Sequence, residues 1–255
     1  MRFIRYRSGV EEPKFGWVFE NQVGEIEGTP FGDYRRKEAD TQLSSVRLLP
    51  PVVPGKIIGV EVNFQKTSSE RIEELPEVPA IYLKPPSTVI GTQEKVMLSS
   101  QSHLVEQEAQ LAVIIGRKGR WIAPDRARDF IFGYSIATDI TARDLQLSDQ
   151  NSGRARSFDT FLPIGPWIET ELDVIDTLLT CRVKGELRQM ASTREMIFTI
   201  PQLVAFISSV MTLYPGDLIL TGSPDGAGPL TAGDIIQSSI EGIGDLVNPV
   251  AVEQG

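Results

Sequence analysis

Histidine and cysteine, which carry much acid–base and metal chemistry, are almost missing from this 255-residue chain: it has only His103 and Cys181. A single cysteine excludes an intrachain disulfide and any cysteine-based metal cluster. Positive charge is also scarce, with 25 Lys and Arg against 34 Asp and Glu and a net charge of −9. Nucleic-acid surfaces need clustered Lys and Arg, so nucleic acid is not an expected partner. No apolar run approaches the ~20 residues of a membrane helix. The opening MRFIRYRSGVEEPKFGW lacks the apolar core of a signal peptide. The expectation is a cytoplasmic protein that partners neither membrane nor nucleic acid.

What is present is ordinary for a globular protein: 41% hydrophobic and 23% charged residues. The length suits one large domain, or a small one joined to a larger one. RFIRYRS, KFGWVFE and QVGEIEG read as short strands broken by Gly and Pro. The three prolines of LLPPVVPGK, Leu48 to Lys56, then read as a semi-rigid linker. The division expected is a small β-rich domain over 1–50 and a larger domain over 51–255. Further strand-like runs fall at Ile57–Val62, Ala80–Leu83, Leu111–Ile115, Leu218–Leu220 and Ile235–Ile240. Helical signals are few. Thr199 can cap a helix spaced by Ile200, Leu203, Val204, Ile207 and Met211, and Pro124-Asp125 opens a short helix to about Phe132. Strands and helices do not alternate, so the chain is α+β and predominantly β, not doubly wound.

Chemistry-bearing residues gather in four segments. In VEQEAQLAVIIG, Val105 to Gly116, Glu106, Glu108 and Gln110 share one strand face. SIATDITARDLQ places Asp139 inside an apolar run, where an acid needs a charge or metal partner. TGSPDGAG is a Gly-rich turn carrying Thr221 and Ser223, suited to offering N–H groups to a carboxylate. GVEVNFQKTSSER holds Asn63 and Glu70. Two or three acids with turn-borne donors suit a hard cation such as Mg²⁺, Mn²⁺ or Ca²⁺.

PAIYLKPPSTVIG, QEAQLAVIIGRKGRWI, FGYSIATDITARDLQ, RSFDTFLPIGPWI, VKGELRQMASTREMIF and MTLYPGDLILTGSPDGAG, in this order, resemble the fumarylacetoacetate hydrolase family. The resemblance runs from about Lys56 to Val250, and the first 50 residues resemble the small N-terminal domain of many single-chain members. It implies a mixed β-sandwich roll, usually a homodimer, with a Mg²⁺- or Mn²⁺-assisted site for 2-oxo or 1,3-dicarbonyl acids. The reactions it implies are C–C hydrolysis, decarboxylation and keto–enol isomerisation, with the metal holding enolate charge.

Three positions depart from the family pattern. Counted back from Gly116, its Glu-x-Glu ligand pair falls on Glu108 and Gln110, with Asp139 as the third ligand and Glu106 a bystander. An amide can coordinate a hard cation but brings no charge. Thr67 stands where hydrolytic members carry a histidine, and loss of a general base removes ~10²–10⁴-fold of rate. Arg156 replaces a lysine, keeping the charge without titrating. Arg143 and Asp144 read as a structural ion pair, and His103 as a surface residue. Glu108, Gln110 and Asp139 are therefore the expected metal ligands. Glu70 and Arg156 are the catalytic candidates, and Arg156, Thr221 and Ser223 the contacts to the substrate carboxylate. The function expected is a metal-assisted enzyme of small oxo acids, decarboxylase or isomerase before hydrolase. The rival is a catalytically silent relative that binds a ligand or partner subunit.

Overall fold

The computed structural model describes residues 1–65 and 75–253, and short β-branched runs between Gly and Pro become strands throughout it. In chain order the first are β1 (Arg2–Arg7), β2 (Lys14–Phe19), β3 (Gln22–Gly28), β4 (Tyr34–Gln42), β5 (Arg47–Leu49) and β6 (Ile57–Val60). Next come β7 (Ile81–Lys84), β8 (Val89–Ile90), β9 (Val96–Leu98), β10 (Val105–Ile115), β11 (Ile131–Ala142) and β12 (Leu162–Glu169). The last are β13 (Leu178–Val183), β14 (Glu186–Ser192), β15 (Leu218–Leu220), β16 (Ile235–Ile240) and β17 (Gly244–Val252). The α-helices among the described residues are α1 (Arg143–Asp149) and α2 (Ile200–Val210).

Two sheets result. The larger runs β4-β3-β2-β1-β12-β11-β10-β15-β6-β7, with β5 beside β1 and β8 beside β12; the smaller runs β14-β13-β16-β17-β9. Parallel pairs (β15 with β6, β17 with β9) sit among antiparallel ones, so the sheets are mixed. This is the strand-dominated, rolled two-sheet fold expected of the family. β1 pairs with both β12 and β5, so the strands of the first 50 residues continue the large sheet. The proline-rich stretch before β6 is packed, not a free tether: Pro51, Val52 and Pro54 are buried.

Period-two alternation on β10 and β11 divides the core. Ala109, Leu111, Val113, Ile136 and Ile140 face the small sheet, packing with Leu179, Cys181 and Ile236. The alternate residues Ala112, Ile114 and Ala137 face the inside of the roll, with Ile57, Leu162 and Leu218. Both faces of β10 are covered, which is why the strand reaches back to Val105, well before the Leu111 start expected from its apolar run. The α2 helix forms as its spacing predicts, with a capping box between Thr199 and Gln202, and it closes at Met211. The Pro124 segment is a 3₁₀ helix ending at Phe130, and the strand after Ile57 stops at Val60, short of Val62. Among the described residues, no helix is long and apolar enough to cross a membrane.

Candidate active site

Antiparallel register sets the centre: Glu108 on β10 stands directly opposite Asp139 on β11, so their side chains leave the sheet on one face. That face is the inside of the roll. Two more polar side chains reach it from β7, where Tyr82 and Lys84 share a face. In a flat sheet, β7 would lie four strand spacings from β11, or about 19 Å. Instead Lys84 Nζ donates to Asp139 Oδ1 at 2.6 Å, and the Tyr82 hydroxyl donates to Asp139 Oδ2. The curl of the sheet closes that gap. Gly59, opposite Tyr82 across β6 and β7, leaves room for it: a Cβ there would lie 2.1 Å from the Tyr82 ring.

Arg156 completes the cluster from the segment between α1 and β12. Its Nη1 donates at 2.7 Å both to Glu108 Oε2 and to Asp139 Oδ2, and Nη2 donates at 3.2 Å to Glu108 Oε1. The guanidinium lies over the Tyr82 ring, 4.5 Å from its centroid, and Arg156 is only 2% exposed. Burial opposes its charge, but Asp139, Tyr82 and Glu108 outweigh that and hold its pKa well above the ordinary value. Burial would likewise raise the Asp139 carboxyl, yet Lys84 and Arg156 keep it below its usual range. Burial pushes Lys84 down, against the pull of Asp139, and pushes the Tyr82 phenol well up.

Glu108 has a second cation. Arg143, at the start of α1, donates through Nη2 to Glu108 and through Nε to Glu106 Oε2 at 2.8 Å. The expected Arg143–Asp144 pair is thus divided. Asp144 instead accepts from the Ser102 hydroxyl and the His103 backbone, and the exposed His103 ring meets it from solvent. Glu61 accepts from Ser152, while its Oε2 lies 3.6 Å from Arg156 Nη2. These groups open on a cavity of about 870 Å³, lined by Glu61, Glu106, Glu108, Arg143, Arg156 and Ser223 among others.

The other expected site residues separate. Ser223 lines the cavity, its hydroxyl donating to Ala109 O and accepting from Gln189 Nε2. Thr221 is fully buried, and its hydroxyl donates to Leu111 O at 3.0 Å, pinning the turn to β10. That bond occupies the hydroxyl proton and gives Thr221 a structural part in the turn. Glu70 and Thr67 lie outside the described residues.

Gln110 Oε1 accepts the Gly222 N–H at 2.8 Å, leaving buried Nε2 without a partner among the described residues. The donor set expected for Mg²⁺ or Mn²⁺ does not fit one: the Gln110 oxygen is engaged, and a guanidinium spans the two carboxylates. Among the described residues, no group of three or more His, Cys, Asp or Glu is placed to hold a metal ion.

Sequence reasoning missed Lys84, Tyr82 and Glu61. The usable signal was complementarity: Lys84 in the apolar run IYLK and Asp139 in SIATD are opposite charges buried in separate strands, and each needs the other.

A mixed rolled sheet with paired charges over a cavity defines a β-rich scaffold with a charge-lined cavity. Residues 56–251 match the fumarylacetoacetate (FAA) hydrolase C-terminal family, and residues 1–51 match the Rv2993c-like N-terminal family. The chain belongs to the fumarylacetoacetate hydrolase family. It is 38% identical to a solved 5-carboxymethyl-2-hydroxymuconate delta-isomerase from Mycobacterium smegmatis, with a TM-score of 0.92 over 99% of this chain and 100% of the other. Oxaloacetate tautomerase FAHD2B, mitochondrial, of Bos taurus is 36% identical over 235 residues, which is 84% of this chain and 74% of the relative. A maleylpyruvate hydrolase from Sphingobium sp. SYK-6, solved with manganese (II) ion and pyruvate, is 29% identical, with a TM-score of 0.82 over 100% of both chains. Isomerase, tautomerase and hydrolase are thus all represented among its relatives.

Proposed function

We propose that this chain is an enzyme of small 2-oxo or 1,3-dicarbonyl acids, with keto–enol isomerisation or decarboxylation favoured over C–C hydrolysis. The observation that carries the reading is the cavity in which guanidinium groups and carboxylates converge. Arg143 is the less buried of the two arginines, its side chain 24% exposed against 2% for Arg156. It would receive a carboxylate or developing enolate oxygen, and a fixed cation there stabilises charge formed in the transition state. Isomerisation needs a base that takes a proton from the carbon beside the oxo group and an acid that returns one to oxygen. Glu61, which lines the cavity, accepts from Ser152 and pairs with Arg156 at 3.6 Å, is the carboxylate this reading assigns to that exchange. Hydrolysis additionally needs an activated water, and Thr67 in place of histidine supplies no base near neutral pH. The divalent metal implied by the resemblance has no part in this reading, because the donor set does not fit it.

The test follows oxaloacetate by enol absorbance and by pyruvate release, with an acylpyruvate as the cleavage substrate. Enol–keto conversion or decarboxylation, lowered at least ~10-fold in Arg143→Ala, is the expected result. Acylpyruvate cleavage with neither of those would reverse the preference among reactions. No turnover of any substrate would leave the catalytically silent relative standing.

A further inference from the structure

We infer that Arg156 is the resident cation of this centre, taking the place between Glu108 and Asp139 that a divalent ion would need and making the site independent of one. A single atom, Nη1, lies 2.7 Å from an oxygen of each carboxylate, bridging them as a shared metal would. The guanidinium is held through both terminal nitrogens and its face, while its buried Nε has no partner among the described residues. Nη2 returns to Glu108, the plane lies over Tyr82, and the backbone N–H of Arg156 donates to Ser152 O at 3.2 Å.

Charge leads to the same conclusion. Glu108 and Asp139 bring two negative charges, and Lys84, Arg143 and Arg156 already direct three positive ones at them. Glu106 shares Arg143 and Glu61 lies 3.6 Å from Arg156, so every carboxylate of the cluster already has a cation beside it, and a divalent ion would have to displace one from Glu108 and Asp139. The third position agrees. Gln110 has no charge to offer, its oxygen is bonded to Gly222, and the atom left over, Nε2, is a donor that cannot ligate a cation. A missing carboxylate at 110 and a forked, permanently charged side chain at 156 are therefore complementary: one removes an anion, and the other keeps the cation of the lysine it replaces on a fork that reaches both remaining carboxylates.

The inference concerns the cation and does not rest on the oxo-acid reading. Its readout is metal occupancy, so failure of one leaves the other intact. The full chain is titrated with MnCl₂ by calorimetry, and free Mn²⁺ is followed by its electron paramagnetic resonance signal. No saturable binding below millimolar Mn²⁺ is expected. The double variant Gln110→Glu with Arg156→Lys restores an acid and shortens the cation, and it should bind at least ~100-fold more tightly than the wild-type chain. Saturable micromolar binding by the wild-type chain that is lost in Glu108→Gln would overturn the inference. So would a folded double variant, checked by circular dichroism, that binds no better than wild type. If the double variant does not fold, Arg156→Lys alone is read by the same titration and against the same criterion.

Discussion

A carboxylate with no water around it persists as an anion only when its neighbours supply what water would. Asp139 meets that condition through Lys84 and Tyr82 of β7 and through Arg156 from the segment before β12. Thr221 and Ser223 show the opposite outcome for two hydroxyls on one turn. Both donate to β10 carbonyls, yet only Ser223 lines the cavity. Thr221→Val keeps the shape of the side chain and removes its bond to Leu111 O. A loss of about 1 kcal/mol in urea unfolding is expected, with the KM for an oxo acid unchanged. A several-fold rise in KM at unchanged stability would return Thr221 to the substrate contacts.

At the scale of elements, the site depends on how far the large sheet curls, and Gly59 is a hinge of that geometry. Its φ is not unusual. What matters is the space above it, filled by the ring of Tyr82. Gly59→Ala would drive that ring off Asp139 and is expected to cost about 3 kcal/mol in chemical denaturation. With Tyr82→Ala already present the same change should cost much less, because the pair is in contact. Equal costs in both backgrounds would show that the ring does not depend on Gly59.

Legibility followed the same division. Strands with period-two apolar alternation and Gly or Pro at their ends, such as β1, β2, β3 and β16, were readable because their information is local. β4, whose sequence is YRRKEADTQ, carries no such signal, and its pairing with β3 gives it order. Asp139 was legible as an acid in an apolar run. Lys84 was not tied to it, because the curl that joins β7 to β11 is a property of the sheet and not of either segment. Arg156 was legible as a cation near the site, but its bridge between Glu108 and Asp139 required the register of β10 against β11.

For the whole molecule, these buried groups shape stability against pH. On the acid side, Asp139, Asp234, Glu169 and Asp144 all have folded pKa values below their ordinary ones. A depressed carboxyl contributes stability that is present above its unfolded pKa and lost as pH falls through its folded value. The urea midpoint should therefore drop below about pH 4. The alkaline side turns on Cys181, a fully buried thiol between the two sheets. Burial is the main cause that raises it from the ordinary 9.0 to about 11. A raised acid works in the other sense: its contribution is complete below the unfolded pKa and disappears as pH rises through the folded one. Between pH 9.0 and about 11 the unfolded chain gains a thiolate that the folded chain resists, a loss on the order of 2–3 kcal/mol at 1.36 kcal/mol per unit. Tyr82, raised in the same direction by burial and by Asp139, extends that limb. Cys181→Ala should shift the level of the plateau by its own packing change and, separately, shorten the alkaline limb. An alkaline limb of unchanged depth in that variant would remove Cys181 from the account and leave Tyr82 as the buried group that carries the loss.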